Sequence, residues 1–197
     1  MSTSKMAIPQ GWQLLPIVET IPSTNTWLKE HAEHLQDKTI LIAREQTQGR
    51  GRSDRIFHSA RDRGLYLSVL LKETISDLPL TKLTALCALA AHRAIKESCQ
   101  LTTQIKWVND VFCRGKKVCG ILTEAALDLE SGGLQYAIVG MGVNLFPPAG
   151  GFPADLPPAG ALYSARPHAL ESRTPLAADT TNQSFAFYTH SEETPLY

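Results

Sequence analysis

The amino-acid sequence predicts an α+β domain with a central mixed or antiparallel β-sheet and flanking helices. Two observations lead to this class: segments with strand character outnumber helical ones, and most neighbouring strands lie close together along the chain. The 197 residues, 43% of them hydrophobic, are enough for one such domain with a short appendage.

Hydrophobic periodicity assigns the elements in order. The clearest helix, Pro79 to Ser98, repeats apolar residues at helical spacing and places proline in its first turn. An earlier helix is indicated by Ser23-Thr24-Asn25, whose side chains can cap its first turn. The predicted order is a strand over residues 14–20, a helix over 23–35, strands over 39–44 and 64–72, the helix over 79–98, and strands over 104–107, 118–124 and 134–146.

Glycines predict two local features of the later strands. The pair Gly115-Lys116 is interpreted as a hairpin turn with glycine at its first central position. The Gly140-Met141-Gly142 segment is expected to interrupt the last strand, either as a bulge or where another group approaches the backbone closely.

Composition excludes several functional classes. With 19 basic and 19 acidic side chains, the chain has no long-range field that would recruit nucleic acid or an anionic membrane. No apolar run approaches the roughly 20 residues that span a bilayer, and the first ten residues lack a signal-peptide core, so a cytoplasmic location is expected. The four cysteines have no C-x-x-C spacing and are interpreted as reduced thiols.

A polar loop over residues 46–55, here called the arginine loop, carries the first candidate site. Glycine lets backbone N–H groups approach an anion, and guanidinium groups bind phosphate or carboxylate through two hydrogen bonds. The alternative is a solvated, purely structural charge run. Five arginines fall within fourteen residues, two of them interleaved with Gly49 and Gly51: Arg50, Arg52, Arg55, Arg61 and Arg63.

Three further motifs lie at predicted strand ends. Lys106-Trp107-x-Asn109-Asp110 combines a phosphate-binding cation, an aromatic wall and a carboxylate suited to Mg²⁺, although an Asx turn would also explain it. Lys117 stands at the mouth of a hairpin strand, and Gly140-x-Gly142-x-Asn144 permits close backbone approach.

The sequence contains no G-x-S-x-G elbow, no GxxxxGK[ST] loop and no HExxH motif. Its candidate groups bind phosphate and carboxylate, and none is a positioned nucleophile. This combination favours catalysis in which two bound substrates react with each other, assisted by positioning and electrostatics.

Taken together, the motifs resemble the catalytic domain of biotin protein ligases, in the biotin/lipoate ligase superfamily. They follow the family's order over residues 15–146: Ser23-Thr24-Asn25, Gln46-x-x-Gly49-Arg50-Gly51-Arg52, Lys106-Trp107-x-Asn109-Asp110, Lys117-x-x-Gly120-Ile121-Leu122 and Gly140-x-Gly142-x-Asn144.

The resemblance implies a class II synthetase-like fold and the reaction of a biotin–[acetyl-CoA carboxylase] ligase. Biotin and ATP would form biotinyl-5′-AMP with Mg²⁺ as cofactor, and a lysine of a biotin carboxyl carrier protein, an acetyl-CoA carboxylase subunit or similar, would accept the biotin. The expected organisation is a catalytic core over residues 1–146, a loop over 147–160 that holds five prolines and three glycines, and a C-terminal segment over 161–197 that packs on or trails the core.

The same resemblance implies a role for each motif residue. Lys117 and Arg52 would be catalytic, with Lys117 bridging the biotin carboxyl group and the α-phosphate. The nucleotide would be bound by Arg50, Arg52, Phe57, Lys106, Asn109 and Asn144, with Mg²⁺ at Asp110. Biotin would be bound by Ser23, Thr24, Asn25, Gln46, Gly49, Arg50, Gly51, Arg52, Lys117, Gly120, Gly140 and Gly142.

The sequence departs from the family pattern at three places. Ser53-Asp54 replaces the usual continuation of the arginine loop, Phe57 stands where a tryptophan packs on adenine, and Val108 replaces a proline. There is no room for the family's DNA-binding segment, so no repressor function is expected; a homodimer through a sheet edge stays open. The alternatives are a lipoate or octanoate ligase or transferase, and a biotin-binding module that has lost turnover.

Overall fold

A computed structural model of the chain describes residues 10–53, 55–72, 79–128, 130, 133–153 and 158–165. It contains one mixed seven-stranded sheet in the order β1-β2-β3-β7-β6-β5-β4, in which only β1 and β2 run parallel among the described strands. The strands are β1 (Gln13–Leu14), β2 (Thr39–Ala43), β3 (Gly64–Leu71), β4 (Gln104–Lys106), β5 (Asp110–Cys113), β6 (Lys116–Leu127) and β7 (Leu134–Asn144). The predicted α+β class is confirmed.

Among the described residues, two helices cover opposite faces of this sheet. Helix α1 (Thr24–His31) continues as a short 3₁₀ turn over Ala32–His34, and helix α2 spans Leu80–Cys99. Because strand side chains alternate between faces, Leu70 and Ile138 pack with α1 on one side, while their neighbours Val69 and Val139 join the larger core beneath α2. The candidate site lies on the α1 face.

The sequence predicts most of the observed elements, but the predictions for the strands at both edges of the sheet were partly wrong. The strand predicted over 14–20 pairs regularly only at Gln13–Leu14, because the next donors to β2 after Gln13 are Leu15 and then Val18, and this three-residue step breaks the regular alternation of the ladder. The separate strand Asp110–Cys113 was missed. The hairpin that follows it turns at Arg114-Gly115, with φ values of 50° and 73°, so glycine holds the second central position and the prediction of the first was wrong.

Beyond β7 the chain folds back onto the core. Leu162 is buried, and its N–H donates to the carbonyl of Asn144 over 3.0 Å. The ring of Tyr163 stacks on Phe146 with centroids 5.5 Å apart. Residues 166–197, where most of the predicted C-terminal segment falls, lie outside the described residues.

Two further sequence expectations concern cysteines and membranes. Burial raises the pKa of the Cys87 and Cys119 thiols to about 12, which is typical of inert core cysteines. Within the described residues, neither α1 nor α2 combines the length and apolar character needed to cross a bilayer.

Candidate active site

An open cleft lies on the α1 face of the sheet, with about 470 Å³ of empty space that includes the solvent at its mouth. It is bounded by the N-terminus of α1, the arginine loop and the central strands β6 and β7. Its lining residues are Ser23, Thr24, Asn25, Gln46, Arg50, Gly51, Arg52, Phe57, Leu67, Asn109, Lys117, Gly120, Ile121, Leu122, Gly140, Met141 and Gly142. Residues from all five sequence motifs therefore meet in one place, and the motif over residues 106–110 contributes only Asn109 to the lining.

Glycines open the cleft at the middle of the sheet. Gly140 pairs with Ser68 and Leu122, and Gly142 pairs with Tyr66 and Gly120, so the glycines leave space on the α1 face for side chains from outside the sheet. A Cβ at Gly140 would collide with the Asn25 amide, and one at Gly142 with the ring of Phe57. The strand β7 passes through both glycines without interruption, so the predicted break was wrong and the close approach was right.

A network of polar side chains forms the α1 end of the cleft. Ser23 caps the helix, with its Oγ accepting from the N–H of Thr26. The N–H and the hydroxyl of Thr24 both donate to Gln46 Oε1, over 2.8 and 3.0 Å. Thr24 Oγ1 also lies 2.6 Å from Ser68 Oγ, which donates to Asn25 Oδ1 over 2.5 Å. Ser23, Thr24 and Asn25 are at most 4% exposed, so this end is held rigidly.

Glu124 on β6 joins this network to the arginine loop. Its Oε2 accepts a hydrogen bond from Asn25 Nδ2 over 3.0 Å, and its Oε1 lies 2.9 Å from Arg50 Nη1. The carboxylate can only accept, so it turns the Nδ2 of Asn25 toward itself and leaves Oδ1 facing Ser68. Sequence reasoning missed both Glu124 and Ser68. The signal for them was their two-residue spacing from Leu122 and Leu70, which places them on the α1 face.

Side-chain contacts hold the arginine loop over the cleft. Besides the contact of Arg50 with Glu124, the Nη1 of Arg52 donates to Asn109 Oδ1 over 3.1 Å. Gly49 lies behind the lining, where a Cβ would collide with the Phe57 carbonyl and lie 2.6 Å from Ser59 Oγ. The loop therefore brings two guanidinium groups to the site, as expected of an anion-binding loop.

Lys117 is held at the opposite end of the cleft by Asp110. Lys117 Nζ lies 2.6 Å from Asp110 Oδ1, and the two side chains are 26% and 22% exposed. The same Oδ1 accepts from Asn109 Nδ2 over 3.0 Å. The strand β5, which carries Asp110, thus holds the Lys117 ammonium in the cleft lining beside Gly120.

The residue predicted to bind Mg²⁺, Asp110, is engaged through one of its carboxylate oxygens. Its Oδ1 contacts the Lys117 ammonium and the Asn109 amide. Within the described residues no group of three acidic, histidine or cysteine side chains lies together, but Mg²⁺ in nucleotide sites is usually held by one or two carboxylates and the substrate phosphates. The structure shows Asp110 as the partner of Lys117, and its role toward Mg²⁺ stays a prediction.

Two other predicted nucleotide contacts lie away from the lining. Lys106 sits on the edge strand with its Nζ 5.7 Å from the ring centroid of Phe112. Asn144 is buried and donates to the carbonyl of Gly160 over 3.0 Å. Phe57 does reach the cleft, but its ring lies against Gly142 and Gly120. Asp54 lies outside the described residues.

The family assignment rests on the match between this chain and known proteins. Residues 17–144 match the model of the biotin/lipoate A/B protein ligase family, over well more than half of the chain. The chain belongs to this family. The matched range contains every lining residue of the cleft.

Individual members of the biotin/lipoate ligase family agree with this assignment. The bifunctional ligase/repressor BirA of Bacillus subtilis is 39% identical over 121 residues, which cover 60% of this chain and 36% of the relative. The biotin–[acetyl-CoA-carboxylase] ligase of Paracoccus denitrificans is 34% identical over 164 residues, which cover 80% and 62%. The chain thus spans less than two thirds of the length of these curated relatives.

The fold has close counterparts among solved structures. The biotin protein ligase from Aquifex aeolicus in complex with biotin and ATP superposes with a TM-score of 0.63 at 28% identity, over 92% of this chain and 73% of that one. A mutant of that ligase, in complex with biotin, gives a TM-score of 0.69 at 25% identity over 92% and 70%.

Proposed function

We propose that the chain activates biotin with ATP and transfers the biotinyl group to a lysine of a biotin carboxyl carrier protein. The observation that carries this proposal is the cleft itself, which joins a rigid polar network, two arginines and the Lys117 ammonium. No serine, cysteine or histidine among the described lining residues is paired with a base as a nucleophile would be. Two substrates reacting with each other suit such a site.

The α1 end of the cleft is suited to the ring system of biotin. A ureido group presents one carbonyl acceptor and two N–H donors, and the hydrogen bonds among Thr24, Asn25 and Gln46 hold hydroxyl and amide groups of both kinds in fixed orientations beside the cleft. Leu122, an apolar lining residue on the α1 face of β6, would contact the sulfur-containing ring. The acid chain would then extend past the ring of Phe57, which covers Gly142 and Gly120, toward Lys117.

At the other end, Lys117 and Arg52 would assist the first reaction. The biotin carboxylate attacks the α-phosphorus of ATP, the bond to the β-phosphate oxygen breaks, and pyrophosphate leaves. Negative charge grows on the α-phosphate oxygens during this step, and a fixed ammonium beside them lowers its energy. Magnesium would enter with ATP as part of the substrate. In the second step the carrier lysine attacks the acyl carbon and AMP leaves.

Exchange of labelled pyrophosphate into ATP tests the first step directly. Biotin, octanoate and lipoate are supplied in parallel, and calorimetry measures the binding of each acid without ATP. Exchange with biotin alone supports the proposal. Exchange with octanoate or lipoate would show that this acid, and not biotin, is the substrate. Biotin binding without exchange would identify a binding module that has lost turnover.

A further inference from the structure

The chain segment over residues 158–162 runs beside Lys117 on the side where β7 has ended. The pairing of β6 with β7 begins at Cys119, two residues beyond the lysine. In place of β7, the carbonyl of Pro158 accepts from the N–H of Lys117 over 2.8 Å, and the N–H of Gly160 donates to the Lys117 carbonyl over 2.9 Å. Both backbone groups of Lys117 are therefore bound by this segment.

Two hydrogen bonds and close packing hold the segment in place. The buried amide of Asn144 donates to the Gly160 carbonyl over 3.0 Å, and the N–H of Leu162 donates to the Asn144 carbonyl over 3.0 Å. Leu162 is 2% exposed and belongs to the main core. Gly160 also packs so closely that a Cβ there would lie 2.5 Å from Cβ of Lys116.

We propose that residues 158–162, held by Asn144, position Lys117 for the adenylation step. This inference rests on the proposed function, and it adds residues beyond the matched family range of 17–144. The side chain of Lys117 is fixed by Asp110. Along the strand, Lys117 lies opposite Phe112 of β5 on one edge, and on the other edge its backbone is hydrogen-bonded to this segment. Loss of the last contact frees one side of the strand that carries the ammonium.

The inference also gives Asn144 a different role from the predicted nucleotide contact. Its amide donor is directed at Gly160 inside the core, and it is 7% exposed. Asn144 is a positioning residue, since it acts through Gly160 and the backbone of Lys117. A displacement of about 1 Å at a reacting group can lower a rate by about 100-fold.

The test compares two glycine-to-alanine variants within the same proline-rich stretch. Gly160→Ala forces a Cβ against Lys116, whereas the matched control Gly150→Ala has no heavy atom within 4 Å of its new Cβ. For Gly160→Ala we expect kcat of pyrophosphate exchange to fall about 10- to 100-fold, with KM for biotin changed less than about 2-fold. Gly150→Ala should match the unaltered chain.

A double-mutant cycle separates positioning from simple stabilisation. If Gly160→Ala acts through the lysine, it should have little further effect on kcat in a Lys117→Arg background, where the ammonium is already replaced. Fully additive losses, or a higher KM with unchanged kcat, would overturn the inference. If Gly160→Ala does not fold, Asn144→Ala is measured in the same cycle with the same expectation.

The failure of this inference can be distinguished from failure of the proposed function. If the unaltered chain shows no exchange with any acid, the proposed function fails. If the unaltered chain exchanges with biotin and Gly160→Ala retains its kcat, the function stands and the positioning role is wrong. All rates are measured below the unfolding temperature of each variant, with circular dichroism as the check on folding.

Discussion

Glu124 offers a sharp test of how the cleft is held together, because one carboxylate fixes both Asn25 and Arg50. Glu124→Ala removes both contacts. The pair with Arg50 is partly exposed, at 45% for Arg50 and 20% for Glu124, and such a pair contributes up to about 1 kcal/mol. A buried amide that loses its acceptor costs about 1 to 3 kcal/mol.

For Asn25 the lower end of that range applies, because its Nδ2 also lies 3.4 Å from the Leu122 carbonyl. The sum is about 2 kcal/mol. For a chain of 197 residues this corresponds to a decrease in unfolding temperature of roughly 4 to 8 °C. Glu124→Gln keeps an acceptor for Asn25 and should lose roughly half as much. In Glu124→Ala the Asn25 amide loses the carboxylate that orients it, and we therefore expect this variant to bind biotin about 10-fold more weakly.

Thermal unfolding by circular dichroism and biotin titration calorimetry measure these effects. Glu19→Ala is the matched control for Glu124→Ala, since Glu19 pairs with Arg44 and Arg61 away from the cleft. If Glu124→Ala unfolds at the same temperature as the unaltered chain and binds biotin equally well, the role of Glu124 as the link between α1 and the arginine loop is refuted.

Two other predictions concern the core and the cleft floor. Burial raises the pKa of the Cys87 and Cys119 thiols from near 9 to about 12, so the folded state keeps their protons to higher pH than the unfolded state does. Their contribution to the free energy of unfolding is therefore complete below pH 9. Above pH 9 the free energy of unfolding falls by about 1.4 kcal/mol per thiol for each pH unit. Urea unfolding from pH 8 to 11 should show a steeper decline for the unaltered chain than for the double alanine variant, and equal slopes would contradict the effect of burial on these thiols. Gly140→Ala should displace the Asn25 amide, lower the free energy of unfolding by about 1 to 3 kcal/mol and weaken biotin binding. The control Gly150→Ala should change neither the free energy of unfolding nor biotin binding. Intact biotin binding in Gly140→Ala would show that this position tolerates a side chain.

The sequence predicted the elements whose pattern is local. Helix α2 and strand β3 have long, regular periods, and the structure places them within one residue of the predicted bounds. The short strand Asp110–Cys113 was missed because four residues give too little periodicity to detect. The turn at Arg114-Gly115 was misplaced because a sequence does not reveal which two residues adopt positive φ.

For the candidate site, the motifs predicted which residues meet but not which partner each one takes. Lys117 and Asp110 lie seven residues apart, and only the pairing of β5 with β6 brings them into contact. Glu124 and Ser68 belong to no motif, and they enter the site because the sheet register places them next to Ile138 and Gly140. The role of Asn144 also depends on a segment 16 residues further along the chain. Such long-range contacts depend on tertiary packing, which residue spacing alone does not reveal.

The central claim is that this cleft catalyses adenylation through a fixed ammonium at Lys117 and without a protein nucleophile. The most direct measurement is single-turnover formation of biotinyl-5′-AMP, detected by mass spectrometry, in the unaltered chain and in Lys117→Ala. We expect free adenylate in the unaltered chain and a rate about 100- to 1000-fold lower in the folded variant. A near-normal rate in Lys117→Ala, or a biotinyl group bonded to the protein as an intermediate, would contradict the claim.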